Sequence, residues 1–233
     1  FKPDVVWGTF GNTDTWRLAQ RLAAAANCPW IGDFKDSWRR FLPSGLAHLM
    51  ARRFRNMDHM TTLSEGYCDE ADAWFPHLMK TVIYSGAEVI DMPHSPASSG
   101  ACSRYMTISG SVYREDALAE LLRALDAWND AHAKDAIALR YAGQDGDVVN
   151  RIASGLGVAL EINDEGFMAQ DALLELLAGA AVNAYVYEPK GKWHQKLPEF
   201  LAAGRPVLSF PGETIEAEDF AAQSGGVLFV CTD

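Results

Sequence analysis

Short apolar runs separated by helical patterns recur along the whole chain, and that alternation narrows the fold more than any other feature. In the later part the runs are Tyr105–Gly110, Ile137–Ala142, Gly157–Ile162, Val182–Tyr187, Arg205–Phe210 and Val227–Cys231. Between the first two lies Asp116–Asn129, whose Leu118, Leu121, Leu122, Leu125 and Trp128 share one helical face. Asp171–Ala180 repeats the pattern with Leu173, Leu174, Leu176 and Leu177. The earlier part has the same grammar: Asp4–Gly8, a helix over Arg17–Ala26, Trp30–Phe34, a helical stretch to Phe54, His59–Ser64, a short helix, and Lys80–Tyr84. Mostly apolar strands with helices between them mark parallel sheets covered on both faces. The expected class is therefore α/β, with doubly wound parallel sheets.

Two units are expected. Residues 88–104 include Asp91-Met92-Pro93-His94-Ser95-Pro96-Ala97-Ser98-Ser99-Gly100, which has little to bury and reads as a linker. The alternative is a long surface loop within one domain. Charge changes at the same place. Residues 1–87 hold ten Lys/Arg against nine acids, a net +1, so a chain of −11 leaves −12 for the remainder. The domains are placed at 1–87 and 105–233. Four strands make the first one thin, and the chain opens on Phe1, so further sequence is expected before it. In open parallel sheets ligands bind beyond the carboxyl ends of the strands, and two joined units would form a cleft there.

Composition removes several classes. With 48% hydrophobic and 22% charged residues the chain is not globally disordered. A charge of −11 argues against a nucleic-acid partner. No uninterrupted run of 18 apolar residues is present, so no membrane span is expected. Cys28, Cys68, Cys102 and Cys231 form no CxxC pair, so reduced thiols and a cytoplasmic location are the default. No G-x-G-x-x-G follows a strand, since Gly143-Gln144-Asp145-Gly146 lacks the spacing, which disfavours a nicotinamide dehydrogenase.

The densest chemistry lies in Glu188–Leu208. Lys190, Lys192, His194 and Lys196 crowd the start of a short helix that Gly204 and Pro206 bring to an end. Cations beside unpaired N–H groups make a phosphate site. Glu199, one turn on, could accept from both hydroxyls of a ribose. The plainer alternative is a solvated helix start with Glu199 paired to Lys196. On the first unit, Asp33 and Asp36 follow Trp30–Phe34 and could bind or deprotonate an acceptor hydroxyl. For Asp36 the alternative is a helix cap before Ser37–Arg40. Thr9 and Gly11 follow the first strand and would line the same cleft. Ser64 and Glu65 read as the cap of the next helix. The stretch Trp38–Arg55 mixes five Arg with aromatic and aliphatic residues. It reads either as a core-facing helix with a wet Arg side or as a basic surface for an anionic membrane. No isolated His looks metal-bound, so no metal is expected.

Lys196-x-x-Glu199-Phe200-Leu201-Ala202-Ala203-Gly204-Arg205-Pro206-Val207-Leu208 resembles the K-x-x-E-Y-L-A-A-G-x-P-V-L stretch of GT-B glycosyltransferases, specifically the retaining, family-4-like enzymes. Other segments agree in order: Asp4–Thr9, Asp33–Trp38 (similar to D-F-R-D-P-W), Thr61–Gly66, Val82–Gly86 and Ile108–Tyr113. The resemblance implies two Rossmann-like domains, acceptor side first and nucleotide-sugar side second. It implies transfer of a hexose-like sugar from a nucleoside-diphosphate sugar with retained configuration and without metal or other cofactor. The acceptor would be a glycan, a lipid-linked or a small molecule, as in polysaccharide biosynthesis. Carried over, Glu199 holds the donor ribose, and Lys196, Lys192 and Gly191 lie at the diphosphate. Ser109, Gly110 and Ser111 approach it, and Glu161–Phe167 flanks the base after the third strand. Glu199 and Asp33 are the catalytic candidates, with Thr9 and Asp36 on the acceptor side. Two positions depart from the pattern: Gly191 stands where many relatives carry a second Glu, and Ser111 where an Arg is usual. A silent nucleotide-binding module and a sugar-nucleotide epimerase are the alternative readings.

Overall fold

The computed structural model describes residues 2–87 and 104–232. The linker expected over 88–104 falls, except for Arg104, outside the described residues. Two compact units emerge: Phe1–Ser85 with Pro189–Gln195, and Gly86–Glu188 with Lys196–Asp233. The loop Pro189–Gln195, expected in the second domain, thus belongs to the first unit.

In the first unit, β1 (Val6–Thr9), β2 (Trp30–Phe34), β3 (His59–Thr62) and β4 (Lys80–Val82) form one parallel sheet in that order. The intervening helices are α1 (Thr13–Ala26), α2 (Trp38–Phe41), α3 (Ser44–Arg53) and α4 (Glu65–Asp72). Helix α1 starts where the Asn12 side chain accepts from the amides of Asp14 and Thr15, and ends on left-handed Asn27. Its Ala19 packs so close to β1 that a Cβ on Gly8 would lie 2.7 Å from the Ala19 Cβ. The core is aromatic. Fully buried Trp16 meets Phe10 at 4.8 Å, Phe54 at 5.3 Å and Trp38 at 5.7 Å between ring centres, and its Nε1 donates to the Gly8 carbonyl. The single helical stretch expected up to Phe54 is two helices, because Pro43 cannot donate within a helix and breaks it.

The second unit contains β5 (Tyr105–Ser109), α5 (Glu115–Ala131), β6 (Ala138–Ala142), α6 (Gly146–Leu156), β7 (Ile162–Gly166), α7 (Gln170–Gly179), β8 (Val182–Val186), α8 (Leu197–Ala202), β9 (Val207–Phe210), α9 (Ile215–Gln223) and β10 (Leu228–Val230). The parallel sheet runs β10-β9-β8-β5-β6-β7. From β5 the chain winds outward through β6 and β7, then returns to β8 on the other side of β5. The winding therefore reverses between β5 and β8, and ligands of such sheets bind beyond the carboxyl ends at that point. The core joins Leu118, Leu121, Leu122 and Leu125 of α5 to Ile108, Leu139 and Val149.

Candidate functional site at the carboxyl edge of the second sheet

At the reversal point β5 ends on Ser109, whose buried Oγ has no hydrogen-bond partner. Gly110 follows at φ +100°, a region open to glycine at little cost. A Cβ there would lie 3.4 Å from Cε of Lys196, so the lysine stem runs across the glycine. Gly110 and Lys196 are thus brought together. The Gly110 amide is already given to the Ala142 carbonyl at 2.9 Å, so its contribution is close approach rather than donation.

The loop beyond is held by two side chains that the sequence alone does not single out. Tyr141 donates its hydroxyl to the Gly110 carbonyl at 2.5 Å, and Asp145 accepts from the Val112 amide at 2.8 Å. Burial pushes the Tyr141 phenol up, which keeps it a proton donor. A signal for both is present: Tyr141 lies near the end of an expected strand, and Asp145 sits in the Gly-rich stretch that fails as a dinucleotide motif. Ser111 is exposed. Arg114 is bound to Asp116 at 2.6 Å, and that hydrogen bond raises its already high pKa.

Glu199 sits in the first turn of α8, three residues past Lys196. Its Oε2 is buried and accepts no hydrogen bond. The alternative pairing is absent: among the described residues no ion pair joins it to Lys196. The helix tip itself differs from expectation. It is six residues long, Leu197 and Pro198 at its start are buried, and proline has no N–H. Positive charge from Lys196, rather than a row of helix amides, is what this segment offers an anion. Gly191 and Lys192, expected beside Lys196, count with the first unit. There Lys192 adopts φ +58° and packs on Gly66, and Trp193 lies 4.9 Å from the Tyr84 ring.

Glu161 is a correction. The third strand of this unit begins at Ile162, so Glu161 precedes it and stands at the amino end, where its carbonyl accepts from the Leu139 amide at 2.8 Å. The strand comes later than expected because its Asn163, Asp164 and Glu165 are polar, as an edge strand permits. Phe167, 81% exposed, is the part of Glu161–Phe167 that reaches the carboxyl edge.

In the first unit Asp33 ends up 3% exposed, tying three strands at their carboxyl ends. It accepts from Thr9 Oγ1 at 3.0 Å and Thr61 Oγ1 at 2.7 Å, with Lys35 Nζ at 3.8 Å. Both oxygens are thus engaged by the hydroxyls of neighbouring strands. Asp36 is half-buried and caps nothing; Ser37 caps α2 by accepting from the Arg40 amide. Desolvation raises the Asp36 pKa, against the pull of Lys35 and Arg40. Ser64 caps α4 as expected. The missed carboxylate is Glu70. Buried, it accepts from Ser37 Oγ at 2.8 Å and the Arg39 amide at 3.0 Å, anchoring α2 to α4. No cluster of three or more metal-ligating side chains exists among the described residues.

No family model matches the sequence, and no curated protein does. Solved structures do. HepE from Anabaena, in complex with UDP and glucose, superposes with a TM-score of 0.71 at 16% identity, over 99% of this chain and 65% of that one. An E. coli structure described as trehalose-6-phosphate bound with UDP-2-fluoro glucose gives 0.66 at 10%, over 99% and 62%. A point mutant of S. aureus TarM, in complex with Fondaparinux, alpha-GlcNAc-glycerol and UDP, gives 0.62 at 12%, over 89% and 42%. The chain therefore spans about two thirds or less of the length of these structures. With its two parallel α/β sheets of four and six strands, the chain has the GT-B fold.

Proposed function

We propose that the second unit binds a nucleoside-diphosphate sugar and that the protein transfers the sugar to an acceptor hydroxyl, with retention and without a metal ion. The observation that carries this reading is the buried, unpartnered oxygen of Glu199 one turn from Lys196, at the sheet edge where the winding reverses. A buried acceptor left unpaired costs about 1–3 kcal/mol. The two hydroxyls of a ribose would satisfy it. The Lys196 ammonium, the Ser111 amide and the Ser109 hydroxyl would then face the diphosphate, with the exposed ring of Phe167 available to the base. That UDP or UDP-sugar occupies the similar structures supports the choice of ligand.

In the proposed step the bond from C1 to the diphosphate oxygen breaks and a bond from the acceptor oxygen to C1 forms on the same face. The acceptor proton passes to the departing diphosphate. Lys196 stabilises the charge that develops on the leaving group. Asp33 acts indirectly, by fixing Thr9 on the acceptor side.

Thermal unfolding with UDP tests the site. Ligand at a hundredfold excess over Kd adds about 2.7 kcal/mol, a rise of about 5–10 °C for a chain of this size. Glu199→Gln is expected to lose most of that rise. No rise with UDP, GDP or ADP, or an undiminished rise in Glu199→Gln, overturns the site. Transfer or donor hydrolysis that persists in EDTA supports the reaction. Binding without either points to a silent module, and formation of a 2-epimer points to an epimerase.

A further inference from the structure

Helix α3 has two apolar faces, and the fold uses one. Ala47 and Met50, with Phe54 just beyond, are buried in the aromatic core. On the outer side Leu46 is 39% and Leu49 62% exposed, and Phe41 at the end of α2 is 55% exposed. Arg39, Arg52, Arg53 and Arg55 are exposed around them. None of these four arginines is in an ion pair among the described residues. Residues 37–57 contain five arginines and not one Asp or Glu, in a chain of net charge −11. The reading of this stretch as a core-facing helix with a wet polar side accounts for Ala47 and Met50 but leaves Leu46, Leu49 and Phe41 unexplained.

We propose that the α2–α3 face of the first unit is a docking surface for an anionic phospholipid bilayer. Aliphatic and aromatic side chains flanked by arginine are what enters the headgroup boundary of such a surface. The charge is complementary: the charged residues of 37–57 are all arginine, while residues 88–233 carry −12 and offer such a surface no attraction. A second copy fits poorly, because a symmetric contact would set five arginines against five. A nucleic acid would pair with the arginines but gives Leu46 and Leu49 nothing to bury against. The face is rigidly presented, since Glu70 holds the start of α2 through Ser37 and the Arg39 amide, and Trp38 is buried. No helix among the described residues is long and apolar enough to cross a membrane. This proposal is independent of the donor site.

Co-sedimentation of the whole chain with vesicles tests it. Binding is expected to vesicles of phosphatidylcholine mixed with phosphatidylglycerol, to fall as salt rises, and to be absent with phosphatidylcholine alone. The double variants Leu46→Ser/Leu49→Ser and Arg52→Glu/Arg53→Glu are each expected to weaken partitioning at least tenfold, with unfolding temperature and the UDP-induced rise unchanged. All four positions are exposed, so the variants test the surface rather than the core. Absence of binding to the anionic vesicles, or equal binding by the variants, overturns the proposal. So does a self-association in solution that the leucine pair abolishes, or a preference for single-stranded oligonucleotide over anionic vesicles.

Discussion

Three carboxylates do different work here, and their hydrogen bonds separate them. Asp33 is buried with both oxygens used; Glu199 is part-buried with one oxygen unused. Asp33→Ala is therefore expected to act on stability, leaving Thr9 and Thr61 without their acceptor at a cost of about 1–3 kcal/mol in urea unfolding. Glu199→Gln should act on nucleotide binding and leave the apo protein as stable or more so. Glu213 is a third case. It lies after β9, where it accepts from the Tyr185 hydroxyl and from the Thr214 amide at 2.7 Å. Burial is the dominant influence and raises its pKa above the usual 4.5, against the hydrogen bonds from Tyr185, Thr214 and Ser209. A carboxyl raised in the fold contributes stability that is complete below 4.5 and is lost as pH climbs through the folded-state value. Glu213→Gln keeps an acceptor for Tyr185 without a charge to desolvate. Thermal unfolding should show variant and parent alike in acid, with the variant gaining steadily on the parent toward neutral pH.

Among the elements, β2 runs from Trp30 to Phe34 as the sequence indicates, because a central strand covered on both faces keeps a mostly apolar run, here interrupted only by Gly32 and by Asp33, whose oxygens are taken up by Thr9 and Thr61. Edge and surface elements are harder to read. Polar β7 looks unlike a strand, whereas apolar Val158 and Leu160 ahead of it look like one and instead pack on the core. Helix α6 shows its period in Val149, Ile152, Ala153 and Leu156, but glycines at 146, 155 and 157 mask it. That Lys196 and Glu199 flank the start of α8 is legible because they lie only three residues apart. Tyr141, Asp145 and Glu70 are not, since each acts through a partner 31 to 33 residues away. The same distance problem hides Asn183 on β8, which bonds Thr107 on β5 and the Leu177 carbonyl, closing the sheet where its winding reverses. A tighter contact is diagnostic for α1. Gly8→Ala forces a methyl against the Ala19 Cβ, and overpacking of this kind costs about 1–3 kcal/mol, read as a lowered urea midpoint with unchanged slope.

At the scale of the molecule, the proposed function gives the two sheets separable duties. If the donor site belongs to the second unit alone, UDP should slow amide hydrogen exchange over Ser109–Arg114 and α8 while leaving β1–β4 unchanged. Protection spread evenly over both sheets would count against that division. Charge is divided as well, with net +1 over residues 1–87 and −12 over the rest. Sheet order, more than composition, singles out one edge: a single reversal, between β5 and β8, is present in the six-stranded sheet.

Pro189–Gln195 leaves the second unit after Glu188 and rejoins it at Lys196, having spent seven residues among the side chains of the first. Neither unit is thus encoded by one uninterrupted stretch. A single scission in the gene cannot yield two intact halves: a fragment starting at Arg104 would carry Trp193 away from Tyr84, and its complement would be short of that indole. Swapping halves between related proteins would have to graft this seven-residue piece along with its host.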